Sequence, residues 1–420
     1  MKYIFAIFMA LMIVGCEKSA ESLADSANLN AKIFEFASLK EQADEGAGEL
    51  ENSIKAMSKF YLLEGEISDY RAQIYLTLMM TKRLENTDLG AESSAQSNMP
   101  NAESSAEINA ESSAESNAQK SPIKISGKIV LLDSASVDSA KNGAESKQIF
   151  SISGEAHLGA KAQNLPLVLE HANGEKQILE VNIYENGALS GKIRDKGFFK
   201  IGAEANFQKA QNLPNEVSLL NESIAQKLTG KDFDGSAREF SRNISIQTPS
   251  IVGQGEAIAK INETLKNSAN FAEQGDDGSY NFEGISDFEV EYIDEKVIVF
   301  NHYIYVYSGG AHGTYSNDGV AFSLASGEQL SNEASALLKD AGDTRLLSLV
   351  NARLDDEYGD SIEGEVALSK FRITSSGIEF YWGIYEIAPY AVGIVRINFT
   401  FAELAEFVKA DSAYAYLFNL

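Results

Sequence analysis

Cysteine is almost absent from this chain, and histidine and tryptophan are scarce. The 420 residues contain one cysteine (Cys16), one tryptophan and four histidines. A single cysteine excludes an internal disulfide framework. A metal centre built on His302 and His312 would need carboxylates for its remaining ligands. The sequence therefore indicates neither a metal nor another cofactor.

Basic residues are also few. The chain has 35 Lys and Arg against 61 Asp and Glu, a formal net charge of -26. Nucleic acid is not expected as a partner, because a surface of this charge repels phosphates. The charge permits a basic protein partner. It is equally typical of an acidic protein that uses its charge only for solubility.

The longest apolar run lies at the start of the chain. After Lys2, residues 3–14 carry no charge, and a run of that length is too short to span a bilayer. We predict a signal peptide at residues 1–15. Residues 13–16 (IVGC) resemble a bacterial lipobox, which predicts lipidation of Cys16; the alternative is an ordinary secretory signal. Acyl chains would hold the protein on a membrane in the cell envelope. The residue after Cys16 is Glu17 and not an aspartate. In a Gram-negative host this resembles the pattern of lipoproteins sorted to the outer membrane, where the protein would face the periplasm or the surface.

Composition changes along the chain suggest several segments. We predict a tether at 16–57, a β-rich domain at 58–207, and a linker with a helix at 208–243. A small α/β region at 244–296, a C-terminal domain at 297–408 and a tail at 409–420 would follow. Residues 91–119 repeat AESS three times and contain too few apolar residues to fold, which predicts a disordered insertion. The linker helix is expected from Pro214 to Leu228.

A short repeat characterises the β-rich segment. The pentapeptides LEGEI, ISGKI, ISGEA and LSGKI place Gly65, Gly127, Gly154 and Gly191 between apolar residues that share one face of a strand. Glycine inside a strand weakens it unless it permits a bend or close packing. We therefore expect an α+β protein whose N-terminal part is a curved antiparallel meander or a small open barrel. An α/β domain with helices packed on an antiparallel sheet would follow.

The stretch 297–313 (VIVFNHYIYVYSGGAHG) organises the C-terminal half. It predicts a strand with His302 on an aliphatic face and Tyr303, Tyr305 and Tyr307 on the other face. His302 is expected to be a hydrogen-bonded core residue. The tyrosines could form a binding platform or pack beneath a helix. Three glycines surround His312, which indicates an unusual backbone that either positions this side chain or lets another segment approach.

Two stretches carry a resemblance to a known family. YSGGAHG at 307–313 and FYWGIYEIAPYAVGI at 380–394 resemble the C-terminal domain shared by the peptidoglycan deacetylase PdaC and the lysozyme-sensing anti-sigma factor RsiV. The resemblance covers about 297–408 and implies an α/β fold at the bacterial envelope. In the anti-sigma factor this region binds lysozyme. The catalytic domain of the deacetylase is not matched.

These observations favour a non-catalytic envelope lipoprotein that binds a lysozyme-like protein or the glycan of peptidoglycan. The candidate binding residues are Tyr303, Tyr305, Tyr307, His312, Tyr385, Glu386 and Tyr390. The alternative is an envelope hydrolase in which His312 and Glu386 form a base and its orienting group, or join Asp318 at a metal. A third possibility is that His312 and Glu386 only hydrogen-bond the backbone of their loops.

Overall fold

The computed structural model describes residues 33, 53–80, 122–132, 148–157, 160–231, 235–269, 281–363 and 366–418. Cys16, the predicted insertion at 91–119 and all of the predicted tether before residue 53 except Ile33 lie outside the described residues. Within the described ranges, no helix is long and apolar enough to cross a membrane.

Seventeen strands and four short helices form the described chain, which is mostly β. The strands are β1 Ser53–Ile67, β2 Tyr70–Met80, β3 Pro122–Leu131, β4 Ile149–His157, β5 Leu165–His171, β6 Lys176–Ile183, β7 Leu189–Ile193, β8 Glu204–Lys209, β9 Glu216–Lys231, β10 Ala237–Ile251, β11 Phe282–Ile293, β12 Val297–Tyr307, β13 Thr314–Ser323, β14 Gln329–Leu330, β15 Lys370–Ile373, β16 Ile378–Trp382 and β17 Val395–Phe399. The helices are α1 Glu256–Ser268, α2 Ala334–Leu337, α3 Thr344–Tyr358 and α4 Phe401–Leu404. Single 3₁₀ turns cover Gly359–Ser361, Tyr390–Val392, Ala405–Phe407 and Ala415–Phe418.

Strands β1 to β8 form a closed antiparallel barrel rather than the open one expected from the sequence. Each strand pairs with the next along the chain, and β8 returns to pair with residues Leu63–Ile67 of β1. The earlier half of β1, Ser53–Tyr61, pairs instead with β9. One long strand therefore closes the barrel and also continues the sheet into the C-terminal half. Closure removes the unpaired edges that an open sheet would expose.

The repeat glycines allow strands of the barrel to approach closely, as their positions predicted. A Cβ atom on Gly65 would lie 2.0 Å from the carbonyl oxygen of Asn206, and one on Gly127 would lie 1.9 Å from that of Tyr75. At Gly191 the carbonyl of Glu180 would be 2.6 Å away. No side chain fits at such distances. Apolar residues fill the barrel interior, among them Ile74, Ile129, Leu167, Leu179 and Phe207.

The predicted helix between Pro214 and Leu228 is wrong, because this stretch is strand β9. The spacing of its apolar residues is compatible with a helix or with a strand. The buried residues alternate as in a strand: Val217, Leu219, Asn221 and Ser223. Two of those four are polar and find buried partners. The Asn221 Nδ2 donates to Ser58 Oγ over 2.8 Å, and Gln247 Nε2 donates to Asn221 Oδ1 over 3.0 Å. Polar groups satisfied in this way carry little penalty when buried.

The C-terminal half combines the continuing sheet with a separate three-stranded sheet. Strands β9 to β14 extend the barrel sheet, whereas β15, β16 and β17 pair only with one another. Strands β15 and β16 form a hairpin around Ser375, and α1 follows Gly255. Thr400 and Glu403 form a capping box at α4. Apolar residues of the small sheet, α3 and α4 share a core that includes Phe371, Trp382 and Val350.

The small sheet packs on β12 and β13 through buried polar contacts. Arg372 hydrogen-bonds to Asn301 on β12 and forms an ion pair with Glu379 at 2.5 Å on the neighbouring strand. Burial raises the pKa of the Glu379 carboxyl, although the charges of Arg372 and Arg396 oppose that shift. A Cβ atom on Gly319 would lie 2.7 Å from the Cβ of Arg372, so β13 passes close to this layer.

Candidate functional site

The tyrosines of β12 are half-buried and lie on one face of the strand. The Tyr303 ring lies 6.2 Å from the ring of Tyr315 on β13. The Tyr305 ring packs on Gly313, where a Cβ atom would lie 2.5 Å from the ring. The Tyr307 hydroxyl donates to the carbonyl of Gly310 over 3.1 Å. The three side chains therefore pack along the glycine loop and the adjacent strand.

The loop between β12 and β13 brings His312 to the surface. Gly309 and Gly310 both have φ of 92°, a conformation that L side chains resist. His312 is exposed, and its Nδ1 lies 3.0 Å from the carbonyl oxygen of Gly313. Because a carbonyl only accepts hydrogen bonds, this nitrogen is the donor of the bond.

The segment after β16 supplies the facing side chains. Tyr385 has φ of 63° and is 62 % exposed, an unusual backbone state for an aromatic residue. Its hydroxyl lies 3.4 Å from His312 Nε2. The Tyr390 hydroxyl donates to the Gly313 carbonyl over 3.0 Å. Two distant loops thus meet around one carbonyl group.

We call the resulting surface the aromatic patch; its members are Tyr303, Tyr305, His312, Tyr315, Tyr385 and Tyr390. Ring contacts connect five of them, and Tyr305 joins through its packing on Gly313. His312 stacks on Tyr390 at 4.0 Å, Tyr385 lies 5.5 Å from Tyr390, and Tyr315 lies 5.9 Å from Tyr390. Tyr315 was not selected from the sequence. Its position depends on its pairing with Tyr305 across β12 and β13.

Acidic residues border the patch. Glu283 and Asp287 on β11 lie directly opposite Tyr307 and Tyr303, so their side chains share the face of the tyrosines. Burial raises the pKa of the Tyr303 and Tyr305 hydroxyls, and the negative charges of Asp287 and Glu283 add to the respective shifts. The tyrosines therefore stay neutral hydrogen-bonding groups at physiological pH.

Glu386 and Asp318 have other partners. The Glu386 carboxylate accepts from the Gly383 amide over 2.7 Å and from Ser369 Oγ over 3.3 Å. Asp318 pairs with Lys370 over 2.7 Å. Among the described residues, no three His, Cys, Asp or Glu side chains are grouped as metal ligands. The hydrogen bonds of Glu386 therefore hold its own turn at Gly383 and connect that turn to Ser369.

His302 lies in the core, as predicted. It is 7 % exposed, its Nε2 lies 3.0 Å from Ser286 Oγ, and its ring stacks on Phe288 at 3.9 Å. Burial lowers its pKa to about 4, and the carboxylate of Asp318 only partly opposes this. His302 is therefore neutral at pH 7 and belongs to the packing of β11 and β12.

Comparison with known proteins identifies part of this region. Residues 329–402 match DUF3298, a family of proteins of unknown function. The DUF3298 segment contains Tyr385 and Tyr390 but starts after β12, β13 and the loop with His312. The aromatic patch therefore joins residues inside and outside the matched segment.

Two solved structures of DUF3298 proteins resemble this chain at low identity. The protein from Bacteroides fragilis is 17 % identical, with a TM-score of 0.32, and the match covers 48 % of this chain and 98 % of that one. The protein from Pseudomonas aeruginosa is 14 % identical, with a TM-score of 0.32, and the match covers 45 % and 94 %. No curated protein matches the chain.

Proposed function

We propose that this protein is a non-catalytic envelope lipoprotein, anchored through Cys16, that binds a basic protein through the aromatic patch. Its C-terminal part would be a recognition module with helices packed on antiparallel strands, as expected for the family that it resembles, one member of which binds lysozyme. The observation that carries the proposal is Tyr385, an exposed ring held at positive φ beside the stacked pair of His312 and Tyr390. Strained residues of this kind concentrate at functional sites.

Tyrosine suits a recognition surface. It offers a large contact area with only two side-chain torsions to immobilise, and it is enriched at the residues that dominate binding energy. In the patch, the hydroxyls of Tyr385 and Tyr390 already have partners within the protein. The rings are therefore positioned before a partner arrives, which lowers the entropy cost of binding.

Charge favours a basic protein over an uncharged glycan. The chain carries a net charge of -26, and Glu283 and Asp287 lie on the face of the patch. Opposite charges steer a basic partner toward such a surface and raise its association rate at low salt. Aromatic rings beside carboxylates also suit lysine and arginine side chains. Peptidoglycan remains the second ligand to test.

The hydrolase alternative has less support. A base and its orienting group need a hydrogen bond between them, or a position from which substrate completes one. His312 contacts Gly313 and Tyr385, whereas Glu386 contacts Gly383 and Ser369. The two side chains share no hydrogen bond among the described residues.

A binding assay with lysozyme tests the partner. The full-length protein is immobilised, and lysozyme retention is measured at low and at moderate salt, with sedimentation of purified peptidoglycan in parallel. We expect retention of lysozyme that weakens with salt, and about a tenfold or greater loss in Tyr385→Ala. Tyr184→Ala, a tyrosine in a barrel turn, is the matched control and should bind normally. No retention at either salt concentration removes lysozyme as the partner.

Labelling tests the anchor separately. In cells supplied with labelled palmitate, the protein should incorporate label, and Cys16→Ser should not. A mature chain without label contradicts the anchor, but it leaves the binding experiment valid.

A further inference from the structure

The loop that joins β7 to β8 exposes apolar side chains at one end of the barrel. We call residues 194–203 the Phe198 loop. Phe198 is 39 % and Ile201 is 57 % exposed. The adjacent Phe199 is buried in the barrel core. The loop is therefore attached to the core through Phe199 while Phe198 and Ile201 remain exposed.

Hydrogen bonds from β6 hold the Phe198 loop in a defined shape. Gln177 is buried; its Nε2 donates to the carbonyls of Phe199 and Asp195 over 2.8 and 3.0 Å. Its Oε1 accepts from the Phe199 amide over 2.9 Å. The Ile178 amide donates to Asp195 Oδ1 over 2.6 Å. The exposed apolar residues therefore lie on a fixed support.

Other rings support Phe198 from behind. Its ring lies 5.0 Å from both Phe150 and Phe199 and 5.9 Å from Tyr70, and it stacks on His171 at 5.8 Å. These contacts cover one side of the ring and leave the other toward solvent.

The Phe198 loop is locally basic in a strongly acidic protein. Lys196 and Lys200 are exposed, and neither forms an ion pair with a carboxylate of the described residues. Arg194, at the start of the loop, and Lys192 on β7 differ, because they pair with Glu180 and Glu204. Two unpaired lysines therefore flank an exposed phenylalanine and isoleucine.

We propose that the Phe198 loop docks on an anionic membrane surface. Phe198 and Ile201 would enter the boundary between headgroups and acyl chains, and Lys196 and Lys200 would meet lipid phosphates. This combination of apolar residues and lysines is typical of interfacial membrane binding. Lysine can keep its charge at the headgroups while its apolar stem packs below. A stable protein interface buries about 800 Å² on each partner, which is more than a few loop residues provide.

Membrane docking would set the orientation of the barrel. Ile33 pairs with Tyr184 at the β6–β7 turn, the end of the barrel opposite the Phe198 loop. If Cys16 is acylated, as proposed above, the chain from Cys16 to Ile33 can span up to about 56 Å. Strand β6 connects the two ends of the barrel, and its length is roughly 26 Å. The anchor therefore permits the Phe198 loop to reach the same bilayer.

Fluorescence of a loop tryptophan tests this docking directly. The full-length protein carrying Phe198→Trp is mixed with phosphatidylcholine vesicles that either contain or lack phosphatidylglycerol. We expect a blue shift and quenching by brominated acyl chains only with phosphatidylglycerol. Val252→Trp, an exposed position elsewhere, and the parent protein with only buried Trp382 are the controls and should not respond. Because the signal comes from the loop, it does not depend on Cys16 or on the aromatic patch.

Charge reversal tests the role of the lysines. In the Phe198→Trp protein, Lys196→Glu with Lys200→Glu should abolish the blue shift. The same change at the exposed Lys124 and Lys227 alters net charge equally and should preserve it. Near-ultraviolet circular dichroism confirms folding of each variant, and Ile201→Trp is a second reporter. The proposal is overturned by an absent response, by an equal response with uncharged vesicles, or by equal quenching at Val252→Trp.

Discussion

The imidazole ring of His312 stacks on the ring of Tyr390, with centroids 4.0 Å apart and an angle of 25° between the planes. Both side chains also hydrogen-bond to the carbonyl oxygen of Gly313, each over 3.0 Å. Tyr390 therefore ties the β12–β13 loop to the segment after β16. Because these loops are 77 residues apart in sequence, the aromatic patch exists only when both are folded together.

Two substitutions of Tyr390 should separate the contribution of its hydrogen bond to stability from that of its ring contacts. Tyr390→Phe keeps the ring and loses the bond to Gly313, so we expect unfolding free energy to fall by about 1 kcal/mol. Tyr390→Ala also loses the ring contacts and should cost about 2 kcal/mol. Urea denaturation measures both values. Equal stability of all three proteins would mean that the contact with Gly313 contributes nothing.

Replacing Tyr385 by glycine should improve stability while it harms binding. A non-glycine residue at φ of 63° is strained, and glycine adopts that backbone freely. We expect Tyr385→Gly to raise unfolding free energy by up to about 1 kcal/mol and to weaken partner binding at least tenfold. Thermal denaturation and the lysozyme assay measure the two effects. A variant that loses stability and retains binding contradicts the assignment of Tyr385 to recognition.

The repeat glycines should differ in their tolerance of alanine. Gly127→Ala places a Cβ atom 1.9 Å from the Tyr75 carbonyl, so we expect a loss of about 3 kcal/mol or more. Gly154→Ala meets the movable side chain of Leu167 and should cost less. Gly174→Ala is the control; its φ is 82° with open space around it, and the cost should be about 1 kcal/mol. Denaturant midpoints for the three variants check this order, and equal losses would contradict it.

Stability should fall as pH decreases from 7 toward 4, because burial lowers the pKa of His302 to about 4. Between its unfolded pKa of about 6.5 and the folded value, the unfolded chain binds a proton that the folded protein excludes. The contribution of His302 to the free energy of unfolding is complete above pH 6.5 and is lost as pH falls through 4. This contribution amounts to roughly 3 kcal/mol at most. Urea denaturation at several pH values measures it.

His302→Gln removes the titrating group and should flatten this pH dependence, although it lowers stability overall. His157→Gln changes an exposed histidine and is the matched control. An unchanged pH profile in His302→Gln would show that other groups are responsible.

Local patterns predicted several elements correctly for identifiable reasons. Alternation along β12 placed His302 on a buried face, and glycine at the centre of each repeat predicted close strand approach. The helix expected after Pro214 failed, because the buried face of β9 includes Asn221 and Ser223. These polar residues interrupt the apolar alternation of the strand. Their partners, Ser58 and Gln247 for Asn221 and Ser245 for Ser223, come from other strands.

The predicted site was incomplete for a similar reason. Tyr315 enters the aromatic patch through its register opposite Tyr305, which the sequence of β13 does not reveal. Glu386 was included as a possible partner of His312, but its carboxylate turns back to Gly383. Tyr385 and Glu386 are adjacent in sequence, but only Tyr385 belongs to the aromatic patch. Tyr305 and Tyr315 lie on different strands, and both belong to it.

The sequence by itself determined the strand periodicity, the glycine positions and the exposed histidine loop, since each depends on the conformation of a few adjacent residues. Tertiary structure alone decided that β1 serves both the barrel and the extended sheet, and that His312, Tyr385 and Tyr390 form one surface. Those outcomes depend on which distant strands pair and in what register, and that choice is set by the packing of the whole core.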